Sequence, residues 1–178
     1  HLITSEMWRS IHSQAIGPII HEYPEPSVAA AASGKANHAH ELEIGLTLLS
    51  GSTLPPHSAY LSTNELVTVL GNLLGNAIEA VNAQGSGNSR SVAVQITEDE
   101  KSLLIVVSDT ASAPAGNAVP YLRLGFSTKA AEGRGFGMSM IQNIVVRHDG
   151  TIDVDTEQGA GTTFTLIFQI KRQKEGSQ

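Results

Sequence analysis

The chain has 178 residues, 40% of them hydrophobic and 16% charged, enough for one domain with a sizeable core plus a short appendage. A net charge of −6 argues against the basic footprint of a nucleic-acid binder, and the lack of cysteine excludes disulfides and thiolate metal sites. No apolar run reaches bilayer-spanning length and no signal peptide opens the chain, and the start at His1 leads us to expect a soluble piece of a longer protein.

Residues 1–25 mix a weak helical pattern with a stop at Gly17-Pro18 and a proline-punctuated linker running to Pro26. The alanine-rich stretch from Ser27 to about His40 predicts a helix. Leu42, Ile44, Leu46 and Leu48 then alternate with the period of a strand, and a loop follows. Ser62 and Glu65 form a capping-box pair ahead of a helix whose apolar face is Leu66, Leu70, Leu73, Ala77 and Val81. After the glycine-rich turn "NAQGSGN", the segments "SVAVQIT" and "SLLIVVSD" flank a polar turn at Glu98–Lys101 and predict a hairpin. The stretch from Thr110 to about Arg134 is longer than compact domains usually carry without a function. A helix from about Gly137 to His148 should bury Met138, Ile141, Ile144 and Val145 and stop at Gly150, before a second hairpin, "TIDVDTE" and "TTFTLIFQI". The order αβαββ–loop–αββ, without internal repeats, predicts a two-layer α/β sandwich with helices on one face of a mixed sheet.

Several residues stand out against this frame. Asn72, Asn76 and Glu79 are spaced i, i+4, i+7 and share one helix stripe, extended backward by Thr68 and Glu65. A solvated face normally uses lysine and glutamate, which favour a helix more than asparagine does; an amide oxygen facing a cleft can instead ligate a hard cation. Spacing alone leaves both readings open. Asp109, ending a very apolar strand, is either the start of a turn or a pocket-floor carboxylate accepting from an exocyclic amine. Gly133, Gly135 and Gly137 alternate just before a helix, where backbone N–H groups can approach a phosphate. Lys129 is a phosphate cation or a surface lysine, and Gly34-Lys35 lacks the remaining residues of a P-loop.

Taken in order, these segments resemble one family. "NLLGNAIEA" is similar to the N-box, "VSD" to the start of the first glycine box, and "LGFSTK" to the F-box. "GRGFGMSMIQNIV" resembles the second glycine box and "GAGTTFTLIF" the terminal Gly-x-Gly-Thr-Thr-Phe strand. This is the arrangement of the ATP-binding catalytic domain of sensor histidine kinases in the GHKL superfamily, and it covers about Ser27 to Ile170. The citrate/dicarboxylate sensor branch is the most similar. The resemblance implies the Bergerat ATP-binding fold, with ATP and Mg²⁺ as cofactors. It implies that Asn76 ligates Mg²⁺, that Asn72 lines the same face, and that Asp109 accepts from the adenine amine with Thr162 beside it. Lys129, Gly133, Arg134, Gly135, Gly137 and Met138 would flank the triphosphate, on or beside the loop called the ATP lid.

The first glycine box departs from the family pattern: Asp109-Thr110-Ala111-Ser112-Ala113 carries alanine where the family has glycine. Alanine in a left-handed conformation costs about 1–2 kcal/mol, so the loop is expected to run differently and nucleotide affinity to fall. The hydrolysing branches and the small serine kinases place a glutamate base four residues before the metal asparagine. Here that residue is Asn72, an amide that accepts no proton at neutral pH. The resemblance therefore points to histidine kinases, whose acceptor lies on another domain, and no catalytic residue is assigned within this chain. "RHDG" mimics an acceptor motif but reads as a helix terminus, with His148 favoured by the dipole. The implied division is residues 1–25 as the end of a dimerisation helix and linker, 26–172 as the catalytic domain and 173–178 as a polar tail. Implied partners are the kinase's own dimerisation domain and, through the full-length protein, a response regulator, on the cytoplasmic side of a sensor. The alternative is a degenerate nucleotide-binding or interaction module without turnover.

Overall fold

The computed structural model describes residues 26–53, 57–85, 89–111, 136–157 and 161–169. They form α1 (Pro26–Glu41), β1 (Gly45–Leu48), α2 (Thr63–Ala83), β2 (Ser91–Glu98), β3 (Ser102–Asp109), α3 (Phe136–Arg147), β4 (Thr151–Glu157) and β5 (Gly161–Gln169). The expected element order is the observed one. Residues 1–25, most of the predicted Thr110–Arg134 loop and the polar tail lie outside the described residues.

The central helix, α2, begins as its sequence dictates. Ser62 Oγ accepts from the Glu65 N–H at 3.3 Å, and Glu65 Oε2 accepts from the Ser62 N–H at 3.0 Å. Two orphan donors of the first turn are thereby satisfied. The five predicted apolar residues are all buried, joined by Val69, Leu74 and Ile78. At 21 residues α2 is long and apolar enough by composition to cross a bilayer, contrary to expectation. Its buried face packs on the sheet, as in the core helix of a globular domain.

The strand predicted from Leu42 onward is shorter than its alternation suggests. Helix α1 persists to Glu41 and closes in a Schellman turn: Ile44 N–H donates to Ala39 O at 2.8 Å and Glu43 N–H to His40 O at 3.0 Å. Glu43 holds φ 56, a left-handed position usually given to glycine. Leu42 and Ile44 therefore cover the helix end instead of lying in β1. The end of α3 repeats the device: Gly150 N–H donates to Val145 O at 2.8 Å and Asp149 N–H to Val146 O at 3.2 Å, with Asp149 at φ 50. The left-handed residue is thus Asp149, one before the glycine expected to stop the helix.

The strands form one five-stranded sheet in the order β1-β2-β3-β5-β4, with β1 parallel to β2 and every other pair antiparallel. Rows cross the sheet in register: Leu103 lies opposite Phe168, Ile105 opposite Leu166, and Val107 opposite Phe164. All six are buried, so this face meets the helices. The opposite face carries partly exposed Leu104, Val106, Thr163 and Thr165, together with a Ser108–Thr163 hydroxyl hydrogen bond of 2.9 Å. The predicted two-layer sandwich is observed. Fully buried side chains such as Leu73 and Phe168 each contribute about 1.5–3 kcal/mol over exposure.

Candidate functional site

Strand parity brings Asp109 onto the helix side. It follows Leu103, Ile105 and Val107 on the buried face, and it occupies the end of that row system. Its register partners are Val92 on β2 and Thr162 on β5, so Thr162 stands beside it as the sequence suggested. Asp109 is 4% exposed. Burial pushes its carboxyl up to about 6, against backbone hydrogen bonds from Ala111 and Thr162 that favour the ionised form. The Ala111 N–H reaches Oδ1 at 2.8 Å. The group is held ionisable, buried and oriented by two main-chain donors.

Gly161 makes this possible. It adopts φ +120, and a Cβ there would overlap the carbonyl oxygen of Asp109. The sequence reading assigned Thr162 and passed over Gly161, although the Gly-x-Gly-Thr spacing was its signal; only the β3–β5 pairing shows what the glycine avoids. The expected strain at Ala111 is not observed. Among the described non-glycine residues only Glu43 and Asp149 have positive φ, and the Ala111 side chain is buried within the core cluster. At this position alanine fits without a left-handed penalty; Ala113 lies outside the described residues.

The α2 stripe divides in two. Thr68 Oγ1 donates to Asn64 O at 2.7 Å, and Asn72 Nδ2 donates to Thr68 O at 2.7 Å. Asn72 is thus fixed with its Oδ1 against Gly137 in the first turn of α3, where any Cβ would collide with it. Asn76, one turn on, is half-buried, and among the described residues its amide takes no hydrogen bond. Glu65, read from spacing as an extension of this stripe, serves structure instead. Its Oε1 meets Arg147 Nη1 at 3.0 Å and His148 Nε2 at 2.9 Å, tying the end of α3 to the start of α2. Partial burial pushes the Glu65 carboxyl up, but the hydrogen bonds from His148 and Ser62 together bring it down to about 2.

Two pairs are therefore assembled among the predicted residues, Asp109 with Thr162 and Asn72 with Gly137. Met138 is half-buried against the core. Lys129, Gly133, Arg134 and Gly135 lie outside the described residues. No group of three His, Asp or Glu able to hold a metal occurs among the described residues. A hard cation here would draw on the amide oxygen of Asn76 and on oxygens brought by its ligand, the usual arrangement for Mg²⁺ with phosphates. The unpaired, half-buried amide fits that use.

Residues 62–172 match the family model described as histidine kinase-, DNA gyrase B-, and HSP90-like ATPase. A probable C4-dicarboxylate sensor kinase of Halalkalibacterium halodurans is 32% identical over 157 residues, covering 88% of this chain and 29% of that protein. The sensor protein CitS of Bacillus subtilis is 29% identical over 157 residues, covering 88% of this chain and 28% of its own length. This chain thus spans less than a third of either relative. Among solved structures, the crystal structure of full-length ShkA in complex with AMPPNP superposes with a TM-score of 0.60. It is 23% identical over 80% of this chain and 29% of that one, a likeness of fold.

Proposed function

The chain belongs to the family of histidine kinase-, DNA gyrase B- and HSP90-like ATPases, and from that premise we propose that it is the ATP-binding catalytic domain of a two-component sensor histidine kinase. The observation that carries the reading is the Asp109–Thr162 pair: a buried carboxylate on the helix side of the sheet, held by main-chain donors where the apolar rows end. In this role Asp109 accepts from the adenine amine. Asn72 and Asn76 face the phosphates from α2, and Asn76 gives Mg²⁺ its protein oxygen. Bound Mg²⁺ would neutralise charge between adjacent phosphates. The N-terminal turn of α3, opened by Gly137, admits the polyphosphate close to backbone N–H groups.

The reaction is transfer of the γ-phosphoryl group of ATP to a histidine on a dimerisation domain. Positioning and charge neutralisation do the chemical work, so this chain needs no base of its own. Asn72 occupies the helix position four residues before Asn76 and cannot take a proton, which supports transfer over hydrolysis. Docking on that second domain would use α3, whose Phe136 and Met140 lie one turn apart and are 73% and 51% exposed. The names of the relatives, a C4-dicarboxylate sensor kinase and a sensor protein, support a sensor kinase; in this reading its kinase domain works on the cytosolic side and signals through a response regulator. Lys129 and residues 133–135 complete the phosphate side in this reading.

Calorimetry with ATP, with and without Mg²⁺, tests the binding step; Mg-dependent binding is the expected result. Mixing the chain with a separately produced dimerisation domain and γ-labelled ATP tests transfer. Label should appear on that domain's histidine and not on this chain. Binding without any transfer would favour a degenerate module.

A further inference from the structure

Helix α2 contains two internal glycines, Gly71 and Gly75, although an internal glycine costs about 1 kcal/mol against alanine. A Cβ on Gly71 would meet nothing within 4 Å. Gly75 differs. A Cβ there would stand 3.1 Å from Lys35 Nζ and 3.9 Å from its Cε. The half-buried side chain of Lys35 therefore crosses from α1 and lays its ammonium on α2 at Gly75, close enough that a Cβ there would push it aside by a few tenths of an ångström. Among the described residues this ammonium takes no hydrogen bond or ion pair.

Its location is informative. Asn72 precedes Gly75 by three residues and Glu79 follows by four, spacings at which side-chain origins lie about 5–6 Å apart on a helix. Asn76 is the next residue. The polar stripe of α2 is thus bordered by Gly137 of α3 along one side and by Lys35 of α1 along the other. A lysine with only solvent to serve extends its head outward; this one is half-buried with its head laid on α2 at Gly75.

We propose that Lys35 is a phosphate-binding residue of the nucleotide site, contacting the polyphosphate from α1 while Asn76 acts from α2. The proposal rests on the nucleotide reading above and extends it to a residue outside every recognised motif. The glycine at 75 is the complementary half of the device, since it sets the path of the lysine.

The test is a calorimetric series on the full chain with Mg-ATP, Mg-ADP, AMP and adenosine. Lys35→Gln should lose about tenfold in ATP affinity, the effect of one charge-assisted hydrogen bond, and leave adenosine unchanged. Lys35→Arg should recover most of the loss, and the ATP affinity of Lys35→Gln should fall less steeply with added salt than that of the unsubstituted chain. Gly75→Ala supplies a variant whose folding is not at risk: it should raise the melting temperature through helix propensity yet weaken ATP binding, because the methyl displaces the ammonium. If folded Lys35→Gln and Gly75→Ala both bind ATP as the unsubstituted chain does, while Asn76→Ala does not, Lys35 is a packing residue and the inference is overturned. If the unsubstituted chain binds none of the four ligands, the nucleotide reading itself fails and this proposal falls with it.

Discussion

The two halves of the polar stripe on α2 have the same periodicity and opposite uses. In the first half, Glu65 has every donor it can use: Ser62 from the cap, and Arg147 and His148 from α3. In the second, Asn72 spends one amide hydrogen on the Thr68 carbonyl, and Asn76 spends nothing among the described residues. Helical spacing identifies a face, but it says nothing about partners. A half-buried polar group whose capacity is already filled holds the fold together, whereas one left open is available to a ligand.

The comparison breaks most sharply at Asn76. Asn76→Ala should lower Mg-ATP affinity on the order of 100-fold while leaving the melting temperature in place. Unchanged affinity by calorimetry would put the open half of the stripe among ordinary solvated faces. Glu65→Ala should do the reverse. Loss of the capping box and of the α3 tie costs about 2 kcal/mol, lowering the melting temperature by roughly 4–8 °C, with Mg-ATP affinity preserved.

Acid titration gives a second handle on the same division. The Glu65 carboxyl is held down at about 2, below its ordinary 4.5, so its contribution is complete above 4.5 and is lost as pH falls toward 2. Asp109 runs the other way: raised from 3.8 to about 6, it supports the fold fully below 3.8, and that support is lost as pH rises through 6. Urea unfolding across pH 2–8 should show both slopes, the upper one absent in Asp109→Asn. The ionised form that weakens the fold is the one that accepts from an amine. Preference for ATP over GTP, about tenfold at neutral pH, should therefore shrink as pH drops below 6. The smallest effect belongs to the junction of the two halves. Thr68→Ala removes a hydroxyl that merely bonds back to Asn64 and leaves the carbonyl that orients Asn72, so stability should move by no more than about 0.5 kcal/mol and affinity not at all. A marked loss of nucleotide binding there would extend the ligand-facing half toward the N-terminus.

How much of this was legible beforehand depended on how local each signal was. The α2 cap, its apolar face and the β2–β3 hairpin follow from residues within a few positions of one another, and the sequence reading found them. The Leu42–Ile44 alternation misled because a Schellman turn can carry glutamate at its left-handed position, leaving no glycine to mark the helix end. Ala111 looked costly because a left-handed backbone was presumed; the Asp109 carboxylate instead holds its N–H in an ordinary conformation. Gly161 was passed over, and Lys35 was weighed only as part of a P-loop and set aside, for a shared reason. The first matters through the β3–β5 pairing and the second through the packing of α1 on α2, neither of which is visible in the neighbouring letters.

The sheet order has a consequence for the birth of the site. Strand β5, the last made of the described strands, sits between β3 and β4. During synthesis β3 must therefore wait with an open edge until the whole of α3 and β4 has emerged, and edges of this kind invite wrong pairing. Asp109, at the end of that waiting edge, meets Gly161 and Thr162 only on the final insertion. A chain arrested before β5 would have its central helix and its asparagines, yet no strand to hold the Asp109 carboxylate in place.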